Sequence, residues 1–172
     1  MAQSQNGNGH ITASDEKTIA LVGNPNVGKS VLFGNLTGSY VTVSNYPGTT
    51  VEVTRGKYHF SSKGGGLVGG DDNSRVLIDT PGINNLIPSS EDELVTRNIL
   101  LTEKPENVLQ VIDAKNLRRG LLITLQLIEM GVPFSVCLNM LDEAQSRGID
   151  VNARALSELL GLLLDHRHVE VG

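Results

Sequence analysis

Short apolar runs alternate with amphipathic stretches along the chain. Thr18-Ile-Ala-Leu-Val22 is apolar, carries β-branched residues and stops at a glycine, the pattern of a strand buried on both faces of a parallel sheet. A Gly-rich loop follows, and a helix is predicted from Ser30 to Leu36. Val51 to Phe60 alternates as a strand does, and Arg75 to Ile78, Val108 to Asp113 and Phe134 to Leu138 are further strand candidates. Helical periodicity falls on Glu91 to Leu101, Leu121 to Met130 and Val151 to Leu160. Gly131-Val-Pro133 closes one helix and opens the next strand. Strands separated by helices predict an α/β fold, a mostly parallel sheet flanked by helices.

Two stretches break the pattern. Ser61 to Ser74 holds five glycines and two aspartates, which predicts a hairpin connection. Its one lysine, Lys63, precedes the glycines, so it lacks the closing lysine and the following helix that a phosphate-binding loop needs. Met1 to Glu16, rich in Gln, Asn, Gly and Ser, reads as a disordered lead-in. One domain over 17–161 is expected, with 162–172 left as an unassigned tail. The 172 residues suit one core, and 39% hydrophobic with 19% charged residues describes an ordinary soluble globule.

The net charge of −5 argues against a nucleic-acid partner, which would call for a basic face. It leaves phosphate ligands open, because a glycine-rich loop captures phosphate with backbone amides and one lysine. Cys137 is the only cysteine, so no internal disulfide can form, and its apolar flanks read as a buried strand thiol. No apolar run approaches the ~20 residues that cross a bilayer, and Met1 to Ser14 lacks the apolar core of a secretory signal. These features predict a cytoplasmic chain.

The strongest chemical signal is Gly23-Asn-Pro-Asn-Val-Gly28-Lys29-Ser30, which matches G-x-x-x-x-G-K-[ST] between a strand and a helix. Its glycines let the backbone curl so that amides face phosphate oxygens, and the helix start directs its positive end at the same place. Lys29 is expected on the β- and γ-phosphates, and the Ser30 hydroxyl on magnesium. Second comes Val76-Leu-Ile-Asp79-Thr-Pro-Gly82, where an apolar strand delivers an aspartate to its carboxyl end. Asp79 can hold magnesium through the ion's water shell, and the Gly82 amide can sense the γ-phosphate.

Third, Asn139-Met-Leu-Asp142 directly follows a strand. The Asp142 carboxylate can accept two hydrogen bonds from guanine, which adenine cannot offer in that geometry. Fourth, Tyr46-Pro-Gly-Thr-Thr50 lies between the first helix and the next strand. A threonine there adds a magnesium ligand with the triphosphate bound and swings away after hydrolysis; Thr50 suits this better than Thr49. The expected nucleotide-binding set is Gly23, Asn24, Pro25, Asn26, Val27, Gly28, Lys29, Ser30 and Val31, then Gly48, Thr49 and Thr50. Asp79, Thr80, Pro81 and Gly82 follow, then Asn139, Met140 and Asp142. Ser30, Thr50 and Asp79 are the metal ligands among them, and GTP or GDP with magnesium is the implied cofactor set.

Taken together, these segments resemble the N-terminal G domain of the FeoB family of bacterial ferrous iron transporters. The resemblance runs from about Lys17 to Gly161. It rests on Gly23-Asn-Pro-Asn26, Leu36-Thr-Gly38, Asn45-Tyr-Pro-Gly-Thr-Thr-Val-Glu52, Asp113-Ala-Lys-Asn-Leu117, Thr124-Leu-Gln-Leu127 and Asn139-Met-Leu-Asp-Glu-Ala144. It implies a Ras-like P-loop GTPase fold. It also implies a place on the cytoplasmic face of the bacterial inner membrane, beside a helical regulatory segment and a membrane transport domain. Asn26 resembles the asparagine with which some GTPases recruit a potassium ion; a plain loop cap is the other reading. Lys29, Asn26 and Thr50 are then the residues acting on the reaction itself.

The sequence departs from the family at several points. Thr80 stands where leucine is frequent, Met140 where most GTPases have lysine, and the Ser61 to Ser74 insert is long. The family's ending, a further strand, a base-covering loop and a closing helix, has no match after Gly161. The fold is therefore expected to be incomplete at its C-terminus, as a fragment, truncation or frame-shifted product, with a sheet edge exposed to homo-oligomer formation. His166 and His168 near Asp165 admit a metal site, though a solvated tail is the simpler reading. No glutamine follows Gly82, since Ile83 and Asn84 stand there, so slow turnover is expected. A stand-alone nucleotide-binding regulator and a ribosome- or tRNA-maturation GTPase are the competing readings.

Overall fold

A computed structural model describes residues 17–37, 41–59 and 74–160. The proposed lead-in, the glycine-rich connection through 60–73 and the tail with His166 and His168 lie outside the described residues.

Six strands form one sheet: β1 (Thr18–Gly23), β2 (Val41–Asn45), β3 (Glu52–His59), β4 (Ser74–Asp79), β5 (Asn107–Asp113) and β6 (Phe134–Asn139). Their spatial order is β2-β3-β4-β1-β5-β6. β4, β1, β5 and β6 run parallel, while β3 lies antiparallel to both β4 and β2. The sheet is thus mixed, and parallel across the part that carries the phosphate loop. The helices are α1 (Lys29–Thr37), α2 (Glu91–Asn98), α3 (Leu117–Met130), α4 (Leu141–Ser146) and α5 (Ala153–Leu160).

Alternation along β1 sorts the core into two layers. Leu21 packs with Leu77, Val111, Leu32 and Phe33 under α1. Ala20 and Val22 face the other way, into a larger cluster with Ile78, Val95, Ile99, Ile123 and Leu127 under α2 and α3. Cys137 sits half-buried against the α1 layer, and burial pushes its thiol up, as expected of an inert structural cysteine.

Four details differ from the sequence expectation. β2 is an additional strand, exposed along its whole length at the sheet edge, so it carries none of the apolar signal that marks buried strands. α3 starts at Leu117 rather than Leu121, because Arg118, Arg119 and Gly120 hide its periodicity. α2 ends at Asn98 and passes into a π turn, Ile99–Glu103, which closes on a left-handed Lys104. α4 was not expected at all, being only six residues long.

α2 does begin at Glu91 as expected. Ser90 caps it, its hydroxyl accepting from the Glu93 amide at 3.3 Å, and Glu93 accepts from the Ser89 amide and hydroxyl, both at 2.8 Å. Reciprocal bonds of this kind satisfy otherwise orphaned amides.

Candidate functional site

In a parallel sheet the carboxyl ends of adjacent strands collect on one edge, where ligands bind. Register brings Leu21 beside Asp79, Gly23 beside Val111, and Asp113 beside Asn139. The phosphate-loop motif, the Asp79 motif and the Asn139 motif therefore share one rim.

The loop after β1 turns through two left-handed residues, Asn26 at φ 63° and Gly28 at φ 89°. Asparagine tolerates that region better than most side chains, and glycine adopts it freely. Gly28 has a second constraint: a Cβ there would lie 2.3 Å from the Asn139 side-chain nitrogen. That nitrogen donates to the Val27 carbonyl at 2.9 Å, so Asn139 fastens the end of β6 to the phosphate loop.

Lys29 is buried, its Nζ 3.5 Å from the Gly23 carbonyl at the start of the loop. Burial lowers its pKa, against the pull of nearby Asp79. The Ser30 hydroxyl donates to Asp79 Oδ2 at 2.7 Å. Burial raises the Asp79 pKa, opposed by that hydrogen bond and by the Lys29 charge. Asp79 Oδ1 is buried without a hydrogen-bond partner. A lone carboxylate oxygen beside a serine hydroxyl is a donor set suited to a hard cation or its bound water, so Ser30 and Asp79 fit magnesium.

The segment after β4 is laced to the phosphate loop. The Thr80 hydroxyl donates to the Leu21 carbonyl at 2.7 Å, Ile83 N donates to the Gly23 carbonyl at 3.0 Å, and Asn24 Nδ2 donates to the Ile83 carbonyl at 3.0 Å. Thr80 and Asn24, both buried, thus act as ties between two backbone segments. Gly82 lies against Pro25, where a Cβ would come within 2.8 Å of the Pro25 Cα. Asn84 is exposed, its side-chain oxygen accepting from Arg119 of α3 at 2.6 Å.

The two threonines separate in role. Thr49 closes its own turn, donating to the Tyr46 carbonyl at 3.0 Å and accepting from the Val51 amide at 3.2 Å. The Thr50 hydroxyl is exposed and reaches Glu91 at 3.4 Å, so the structure draws it to the start of α2 and not to the Ser30–Asp79 pair. Gly48, at φ 79°, supplies the left-handed step of that turn.

At the junction of β6 and α4, Met140 is left-handed at φ 59° and Asp142 lies exposed in the first turn of α4. Pro25, Asn26 and Val31 are exposed, and Val27 is buried beneath the loop.

Sequence reasoning gave Lys115 and Glu143 no role, although they join the ends of β5 and β6. Lys115 pairs with Glu143 and lies 4.0 Å from Asp113, with its side chain 13% exposed. The available signal was topological: adjacent parallel strands ending at Asp113 and Asn139 must bring their following loops together.

Comparison with known proteins places these residues in a family. A family model described as Ferrous iron transport protein B matches residues 17–165. The chain is 40% identical over 156 residues to the Fe(2+) transport protein A/Fe(2+) transporter FeoB fusion protein of Porphyromonas gingivalis. That match covers 90% of this chain and 17% of the relative. It is 40% identical over 148 residues to the Fe(2+) transporter FeoB of Escherichia coli, covering 84% of this chain and 18% of that protein. The chain thus spans under a fifth of the length of the curated relatives it matches. Among solved structures, the cytosolic domain of the Thermotoga maritima FeoB iron transporter in GMPPNP form superposes with a TM-score of 0.76 at 33% identity. The match covers 86% of this chain and 55% of that one. A GDP-bound mutant of the Streptococcus thermophilus FeoB G-domain gives 0.73 at 40% identity, over 86% and 53% of the two chains. The fold is that of a P-loop GTPase.

Proposed function

The chain belongs to the ferrous iron transport protein B family, and on that premise we propose that it is a guanine-nucleotide switch that hydrolyses GTP slowly and regulates Fe(II) uptake. In this reading it works on the cytoplasmic face of a bacterial inner membrane, joined to a helical regulatory segment and a transport domain. The family match supports a transporter's G domain over a stand-alone regulator or an RNA-maturation GTPase. Among the described residues no helix is long and apolar enough to cross a membrane.

The observation that carries the proposal is the convergence of Lys29, Ser30 and Asp79 on one rim with a buried, unpartnered Asp79 oxygen. Phosphoryl transfer asks a protein mainly for positioning and charge. The backbone amides of residues 23–30 and the Lys29 ammonium would hold the phosphates. Ser30 and Asp79, joined by Thr50, would hold magnesium, which would supply positive charge beside the phosphates. Thr50 would have to leave Glu91 to join that set, which is the movement of a switch loop. Asn26, exposed on its left-handed turn, would hold a potassium ion, which would supply further positive charge there. Neither Ile83, which is buried, nor Asn84, which bonds Arg119, can orient an attacking water as a glutamine would. Slow turnover follows.

Phosphate release from GTP with magnesium tests the proposal. Lys29→Ala and Ser30→Ala should each remove detectable hydrolysis. Wild-type turnover in Lys29→Ala would place the active site elsewhere.

A further inference from the structure

We infer that Lys115 is a positioning residue for guanine recognition, holding the Asp142 loop from outside the base-reading motif. The inference rests on the guanine-nucleotide reading of the same site.

Met140 and Glu143 flank Asp142 at the β6–α4 junction. Lys115 Nζ lies 3.4 Å from the Met140 sulfur and pairs with the Glu143 carboxylate. It therefore grips the loop on both sides of Asp142. At its own end Lys115 is anchored. Its amide donates to Asp113 Oδ1 at 2.9 Å, Asp113 Oδ2 lies 4.0 Å from its Nζ, and Asp113 also accepts from Asn116 at 3.0 Å. Asp113 in turn pairs in register with Asn139. The ammonium thus joins the end of β5 to the first turn of α4.

α4 needs such a brace. It has six residues, no side-chain hydrogen bond at its N-terminus, and an entry through left-handed Met140, a conformation that costs a side chain energy. A helix that short has little stability of its own. Asp142 is exposed, and its side chain makes no hydrogen bond or ion pair among the described residues. Its aim at a base then depends on the backbone that carries it. A carboxylate that must meet two donors on guanine at once tolerates little misplacement. Met140 supplies no charge of its own, so the cation bracing this loop comes from the turn that follows β5.

The test compares GDP with inosine diphosphate, whose base lacks the exocyclic amine that Asp142 is expected to accept from. ADP serves as a third competitor, and displacement of a fluorescent GDP is the readout. Wild-type protein should prefer GDP to both. Lys115→Met keeps the alkyl stem and removes the charge. It should weaken GDP by about tenfold and shrink the GDP-to-inosine-diphosphate ratio several-fold. Glu143→Gln should act in the same direction, and Lys115→Arg should restore most of the ratio. A merely structural role would weaken all three nucleotides equally and leave the ratios intact. Unchanged ratios in both Lys115→Met and Glu143→Gln would overturn the inference while leaving the guanine reading in place. A wild-type protein that binds ADP as well as GDP would end both.

Discussion

At the residue scale, the phosphate site holds two opposite charges that burial disfavours. Lys29 is lowered and Asp79 raised, burial being the larger cause in each and their mutual attraction the smaller. Because the folded carboxyl holds its proton to higher pH than the unfolded one, the stability contributed by Asp79 is present at low pH. It is lost as pH rises from the ordinary carboxylate range through the raised value. Asp79→Asn should flatten that part of a urea-midpoint-against-pH curve for nucleotide-free protein, and magnesium with GDP should flatten it in the wild type. An unchanged slope in Asp79→Asn would remove burial of this carboxyl as the cause. Lys29 runs the other way: its pKa is lowered, so its cost eases as pH climbs from that lowered value to the ordinary lysine range. Asn26 is tested by salt exchange. At equal ionic strength, hydrolysis should be faster in potassium chloride than in sodium chloride, and Asn26→Ala should erase the difference. Equal wild-type rates in the two salts would leave Asn26 as a loop cap.

At the scale of elements, the segment after β4 and the phosphate loop are laced together by hydrogen bonds of Thr80, Asn24 and Ile83. Gly82→Ala would drive a methyl group into the Pro25 backbone. Overpacking of this kind costs about 1–3 kcal/mol, and here it should also weaken GDP, since Pro25 belongs to the phosphate loop. Urea titration and nucleotide displacement read the two effects; unaltered GDP binding would show that the two segments yield independently. The buried strands were legible because continuous apolar runs such as Ala20-Leu-Val22 have one physical use. The start of α2 was legible from the helical periodicity that begins at Glu91, while the Ser90 and Glu93 bonds that fix it emerged only in the structure. β2 was not, since it is an exposed edge strand held by backbone pairing to β3. The start of α3 was obscured by the polar Arg118 and Arg119. Of the site, Lys29, Ser30 and Asp79 could be placed from spacing alone. The ties made by Asn24, Thr80 and Asn139, and the reach of Lys115 across two strands, depend on which strand lies beside which.

At the scale of the whole molecule, two apolar layers fix a sheet whose carboxyl rim carries every motif the account uses. β1 stands at its centre, flanked by β4 with Asp79 and by β5 with Asp113; β6 with Asn139 lies beyond β5. One face is covered by α1, which grows out of the phosphate loop, and the other by α2, which follows the Asp79 segment. The central claim is that this rim binds a guanine nucleotide, and its most direct test is competition against a fluorescent GDP bound to the wild-type chain. GDP should displace the probe at a concentration at least about a hundredfold below that needed for ADP, a difference of ~2.7 kcal/mol. Asp142→Asn should weaken GDP and favour xanthosine diphosphate, whose extra carbonyl accepts what an asparagine donates. Equal displacement by GDP and ADP, with no change in Asp142→Asn, would contradict the account.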